Sequence, residues 1–171
     1  VTIGDLTLFV HRSGARHAIR LRNKNNPARQ EFAGRRWFPL REDYRIRATF
    51  VPYDPPKLLA IPNIVGDTNR VPSPGYVAFT IDGQEQRLDV SSWRDGGLSL
   101  HFHDLTGGPQ TYPGGRFLTT TPPVNGRVTL DFNQAVSPPC AFTPFATCPT
   151  VLPQNRLAVR IPAGELRHDL L

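Results

Sequence analysis

Asp104 and Arg116 have the chemistry of an ion pair set in an apolar frame. Asp104 follows Leu98, Leu100 and Phe102 at alternate positions, so in a strand all four share one face. A carboxylate on such a face needs a partner, because an unpaired buried charge is expensive. Arg116 is the natural one, and a bidentate pair would fix the loop 106–115, either as a structural tie or as the wall of a site. His101 and His103 fall on the opposite face with Ser99, the spacing by which a strand offers two imidazoles to a metal. A third histidine and a carboxylate would be needed, yet the chain has five histidines in all and no Glu between Glu85 and Glu165. No metal or cofactor is therefore expected, and the two histidines read as half-exposed strand residues.

Asp131 and Asn133 alternate with Leu130 and Phe132, which places both polar side chains on one strand face beside Thr129. That face is an outer surface or the wall of a wet pocket, with the pair anchoring the loop 136–153 or touching a ligand. Cys140 and Cys148 have no standard zinc spacing, and two sulfurs cannot close a tetrahedral site. Three states stay open for them: packed free thiols, as a reducing cytosol would keep them, a disulfide closing the loop, or reactive groups. A nucleophilic Cys140 would need an adjacent base, and no histidine lies nearby in sequence.

The elements that must position these residues read as short strands. Apolar and polar residues alternate over 6–10, 19–21, 44–50, 58–64, 76–81, 86–90, 98–105, 116–120, 127–132 and 157–161. Ser13-Gly14 and Asp82-Gly83 supply hairpin turns. No dozen-residue window has helical spacing, so one or two short helical turns at most are expected. The segment 54–74 holds five prolines and reads as an edge strand flanked by loops. The stretch VSPPCAFTPFATCPTVLP, 136–153, is too apolar for an ordinary surface loop and should pack across an opening or edge of the sheet. The expectation is an all-β fold: one compact antiparallel barrel or closed β-sandwich with a long proline-rich loop and few or no helices.

With 171 residues, one domain is the default, large enough for a core without staples. The chain lacks Met, which suggests an upstream segment that was removed or cut away. No apolar run approaches the roughly 18 residues of a membrane helix, and the first residues do not form a signal peptide. A cytoplasmic location is the expectation, with a removed leader left open. The formal charge is +6, and 18 of the 20 basic residues are Arg. Residues 1–47 hold ten Arg and Lys24 against Asp5, Glu31, Glu42 and Asp43, a net of +7, so the remainder is near neutral. Arg20 with Arg22 and Arg45 with Arg47 would form basic stripes, but no nucleic-acid motif accompanies them, so nucleic acid is disfavoured as a partner.

The segments HFHDLTGGPQTYPGGRFL and TLDFNQAVSPPCAFTPFATCPTVLPQNRLAVRIPAGE resemble an uncharacterised bacterial and archaeal family, domain of unknown function 1684. The resemblance runs through Phe102, Asp104, Thr106, Gly108, Thr111, Tyr112, Gly115, Arg116, Phe117 and Leu118. It continues at 130–133, 138–141, Cys148-Pro149, Asn155, Leu157 and Ala163-Gly164-Glu165, and is weaker upstream at Phe32, Trp37-Phe38-Pro39 and 48–50. The family pattern has Ala-Tyr-Asn where this chain has Ala135-Val136-Ser137, so no role resting on that Tyr or Asn carries over. The resemblance implies no activity. The residues themselves point to a small-ligand-binding β-barrel-like domain, with a polar pocket roofed by the proline-rich loop. Its candidate ligand-binding residues are Asp104, Tyr112, Arg116, Asp131, Asn133, Cys140, Asn155 and Glu165, with Phe142 as lining. The ligand would be small and polar or anionic. The rival readings are an enzyme using the same carboxylates and Arg116 in acid/base chemistry, and a scaffold without a ligand of its own.

Overall fold

Turn chemistry sets the strand boundaries. In the computed structural model, which describes residues 1–168, Asp82 and Gly83 both have positive φ, 50° and 74°. Such a two-residue turn matches the right-handed twist of paired strands. The chain groups into two compact units, Val1–Gly34 and Arg35–Leu171.

In the first unit, β1 (Thr2–Ile3), β2 (Leu6–Ser13) and β3 (Arg16–Asn23) form an antiparallel sheet in that order. The register pairs Val10 with Ile19 and Phe9 with Arg20. Directly paired residues share a face, so Leu6, Leu8, Val10, Ile19 and Leu21 line one side while Phe9, Arg20 and Arg22 line the other. The Arg22 guanidinium lies 5.0 Å from the Phe9 ring centroid. A one-turn helix, α1 (Pro27–Gln30), follows, capped by the Asn26 side chain accepting from the Ala28 N–H.

The second unit contains β4 (Arg45–Pro62), β5 (Thr68–Ile81), β6 (Gln84–Ser92), β7 (Leu98–Phe102), β8 (Arg116–Thr119) and β9 (Arg127–Asp131). They make one antiparallel sheet in the order β8-β7-β6-β5-β4-β9, curled into a half-barrel. The chain is mostly β, 49% strand and 11% helix, as the alternation implied, but six short helical turns occur among the described residues where one or two at most were expected. The inner face carries the core, including Val77, Phe79, Leu88, Val90, Leu100, Phe102, Leu118, Leu130 and Phe132. The Phe102 and Phe132 rings meet edge-on at 5.3 Å.

Three elements differ from the sequence reading. Residues 54–74 are not an edge strand between loops: Lys57–Pro62 of β4 pairs with Thr68–Ser73 of β5 as a two-stranded ribbon beyond the main sheet. Each ribbon strand has one partner, which is why its prolines are tolerated, and the register shifts between Pro52 and Lys57. Residues 157–161 are not a strand, although Leu157, Val159 and Ile161 are buried in the core. Leu157 donates to the His103 carbonyl at 2.7 Å and Leu105 to that of Val159 at 2.9 Å. At Ile161, however, the N–H is captured by the Asp104 carboxylate at 2.7 Å and the carbonyl by Arg116 at 3.0 Å, so side chains end the pairing there. Finally, the strand ends at Asp131, and 132–134 form a helical turn.

The proline-rich segment spans from a sheet edge to the ribbon tip. Val136 exchanges two backbone bonds of 2.8 Å with Phe117 of β8. At the other end Thr150 donates to the Pro62 carbonyl and Ile64 to that of Cys148. Cys140 and Cys148 are joined by a disulfide, with Cα atoms 6.2 Å apart.

Candidate functional site

The candidate residues gather in separate places, and the Asp104–Arg116 pair is among the most deeply buried. Both side chains are 1% exposed. Asp104 Oδ1 accepts from Arg116 at 3.0 Å, while Oδ2 accepts from the Thr106 N–H, the Thr106 hydroxyl and the Ile161 N–H at 3.1, 2.7 and 2.7 Å. Thr106 in turn meets the Thr111 hydroxyl at 3.1 Å. Arg116 also donates to the carbonyls of Ile161 and Ala163 and stacks over Phe102 at 5.2 Å. Burial pushes the Arg116 pKa down, and the Asp104 charge opposes that shift. Four bonds on one carboxylate and no exposed edge make this a closed tie between β7, β8 and the 161–163 segment. Tyr112, half-buried, lies with its ring against Gly114 in the intervening loop.

Glu165 is buried beside the start of the proline-rich segment. Its Oε2 accepts the Ser137 N–H at 2.8 Å, and Oε1 lies 3.7 Å from Arg35 Nε. Cys140 is 8% exposed and, of its three states, takes the disulfide, in which it offers no thiol.

Asn155, placed by the turn Pro153–Asn155, repairs the sheet. β6 and β7 pair only at Ser91–Ser99 and Ser92–Leu98 before they splay. Beyond that point the Asn155 amide bridges them: Oδ1 accepts the Asp89 N–H at 2.9 Å, and Nδ2 donates to the carbonyls of Asp89 and His101 at 2.9 and 3.0 Å. A side-chain amide thus stands in for missing ladder bonds.

At this splay a narrow cleft of about 30 Å³ opens under Thr150 and Leu152, with Asp89, Ser91, Ser99 and His101 on its walls. That is room for about a single water. The residue types evoke a Ser-His-Asp relay, but the geometry does not form one. His101 Nε2 meets the Gly114 carbonyl at 3.2 Å, and its ring stacks on Phe117 at 4.1 Å. Burial lowers its pKa to about 4. Asp89 accepts from the Tyr53 hydroxyl at 2.6 Å, from Gln154 at 3.0 Å and from Lys57 at 3.3 Å. Burial alone would raise this carboxyl, and those donors outweigh burial and hold it below the usual range.

A larger cleft, about 370 Å³, lies elsewhere, lined by Trp37, Phe38, Leu40, Asp131, Asn133 and Gln134. Asp131 and Asn133 meet here because Asp131 caps the turn that follows it, accepting the Asn133 N–H at 3.2 Å. Asn133 then clamps the opposite wall rather than the proline-rich segment: Oδ1 accepts the Arg41 N–H at 3.1 Å, and Nδ2 donates to the Arg41 carbonyl at 2.9 Å. Backbone bonds from Phe38 to the Gly164 carbonyl and from Leu166 to that of Arg36 hold the same wall. Trp37 stays 44% exposed and Leu40 80% exposed. Among the described residues no group of three or more His, Cys, Asp and Glu is arranged to hold a metal.

A sequence profile described as "Protein of unknown function (DUF1684)" matches residues 30–166. The chain belongs to the DUF1684 family. The matched stretch contains all of β4 to β9 and both clefts, whereas β1 to β3 precede it. The DUF1684 domain is also similar to the solution NMR structure of the uncharacterized protein from gene locus rrnAC0354 of Haloarcula marismortui, with a TM-score of 0.67 and 31% identity. That similarity covers 81% of this chain and 78% of that one. A search of curated proteins finds no match. No helix among the described residues of the domain is long and apolar enough to cross a membrane.

Sequence reasoning thus picked out Asp131 and Asn133 but passed over Trp37, Phe38, Leu40 and Gln134 as cleft residues. The signal for them was thin: Trp37-Phe38 and Leu40 look like core residues until their exposure is known.

Proposed function

We propose that this domain binds a small polar ligand in the cleft between residues 37–40 and 131–134. One observation carries the reading: this cleft of about 370 Å³ pairs exposed apolar walls with a polar floor already held in place by hydrogen bonds. Ligand sites are typically concave and mostly apolar, with a few fixed polar groups, and span roughly 300–1,000 Å³. The site stands at the rim of the half-barrel, not under the proline-rich segment, where about 30 Å³ is open. Binding is favoured over acid/base catalysis because Asp104, Asp131 and Glu165 each engage different partners.

The test is a screen of small polar compounds of all charges followed by the indole N–H signals of Trp37 and Trp93. Both tryptophans are exposed, 44% and 47%, so Trp93 serves as the internal control. Saturable shifts at Trp37 alone support the site. Equal, non-saturating shifts at both indoles, or none, refute it.

A further inference from the structure

We propose that the cleft selects an organic cation, a primary ammonium or guanidinium group, seated between the Trp37 indole and the Asp131 carboxylate. This rests on the cleft being a ligand site. The Asn133 donors facing it are already engaged, and Gln134 gives one of its two. Asn133 Nδ2 is bound to the Arg41 carbonyl and to Asp131 Oδ1 at 2.9 Å each, and Gln134 Nε2 is bound to Asp131 Oδ2 at 3.1 Å. The Asn133 acceptor is taken by the Arg41 N–H. What remains is acceptor capacity: a second lone pair on Asp131 Oδ2 and the Gln134 amide oxygen. This floor favours a ligand that donates.

Charge narrows the choice further. Asp131 is half-buried, and every group bonded to it among the described residues is a neutral amide. Arg45 sits opposite it in the β4–β9 register but forms no ion pair with it and does not line the cleft. Arg41, the nearest chain neighbour on the other wall, is ion-paired with Asp43 and lies over the Tyr44 ring at 4.9 Å. Among the described residues the carboxylate thus has no cation at ion-pair distance, and the cleft it lines also carries an exposed indole, the aromatic face that best attracts a cation. An anion would face the carboxylate's repulsion, with only the Trp37 indole N–H and the second Gln134 N–H left to offset it, and a neutral polyol would leave the charge unmatched.

The experiment compares near-isosteric pairs at constant ionic strength: butylguanidinium against butylurea, and butylammonium against butanol. The readout is the Trp37 indole N–H shift. The cations are expected to bind at least about tenfold tighter than their neutral partners, through charge-assisted hydrogen bonds and the indole face. Asp131→Asn keeps an oxygen for the Asn133 N–H and is expected to erase that preference while the fold, read from the amide spectrum, persists. The wild-type comparison stands without that variant. If the neutral compounds shift Trp37 with equal affinity, the cation assignment is wrong and the ligand site survives. If none of the four shifts Trp37 and the broader screen is also silent there, the site itself is wrong.

Discussion

Acidification should destabilise this fold well above the pH at which carboxylates protonate, and His101 is the reason. Its imidazole is stacked on Phe117, with Nε2 near the Gly114 carbonyl, and burial lowers its pKa from 6.5 to about 4. The Gly114 bond opposes that shift, and the Arg156 charge adds to it. In the unfolded chain the ring takes a proton near 6.5, so between that value and about 4 the unfolded state binds more protons than the folded one. The contribution is full above pH 6.5 and is lost as pH falls toward 4. At about 1.36 kcal/mol per pH unit, the loss between pH 7.5 and 4 comes to about 3 kcal/mol. Urea unfolding at pH 7.5, 6, 5 and 4 measures it, with His101→Phe as the reference that keeps an aromatic ring but has no proton to gain. The variant's stability is expected to fall by about 3 kcal/mol less than the wild type's across that range. His103, also lowered by burial, remains in both proteins and cancels in the difference. Asp89, held low by its donors, loses its contribution only as pH drops below about 4, beneath the window. Parallel curves for the two proteins would refute the argument.

Asp104→Ala leaves the Arg116 guanidinium buried without its counter-charge and is expected to cost about 3–5 kcal/mol in urea unfolding, or to prevent folding. Reduction of Cys140–Cys148 releases a loop with a sequence separation of 8, and chain entropy puts the loss of stability at about 2–3 kcal/mol, checked by unfolding with and without reductant. Gly164 has φ +83°, and a Cβ there would sit 2.6 Å from the Ala135 carbonyl oxygen and 2.7 Å from that of Phe132. Gly164→Ala should therefore lower the thermal midpoint, at a cost of about 1–3 kcal/mol. Asn155→Ala removes the amide bridging the splayed strands and should cost about 2–3 kcal/mol, with faster hydrogen exchange at the Asp89 amide.

Strand content and the main turns were legible because period-two alternation directly reports one buried face. Leu98, Leu100 and Phe102 point to the core, and Asp104 continues their face, as read. The alternation at Leu157, Val159 and Ile161 reported burial correctly and a regular strand wrongly, since sparse backbone bonds to 103–105 give way at Ile161 to the Asp104 and Arg116 side chains. Asp131 and Asn133 were picked out together for the wrong geometric reason. They meet through a capped turn, a local competition between side chain and backbone that a strand pattern does not reveal. Asp89, Tyr53, Lys57 and Gln154 were not legible at all: they come from β4, β6 and the chain before Asn155, and long-range register alone joins them.

A polar residue inside an apolar pattern can serve the fold or a ligand, and the two uses separate by what is left over once internal partners are counted. Asp104 accepts four hydrogen bonds, one from a cation, and is sealed from solvent, so it has nothing to offer a visitor. Asn155 likewise gives its whole amide to backbone groups. Asp131 differs on each count: its donors are amides, its carboxylate is half-buried, and an exposed indole lines the same cleft. A protein that needed Asp131 only as a cap would be served equally by Asn or Ser there, because the capping preference among those residues is nearly flat. The charge is thus surplus to the backbone cap itself, although Asp131 Oδ2 also accepts from Gln134 at 3.1 Å. Its place beside Trp37 gives that surplus a use, and the Asp131→Asn comparison, which preserves the cap and deletes the charge, separates the two roles.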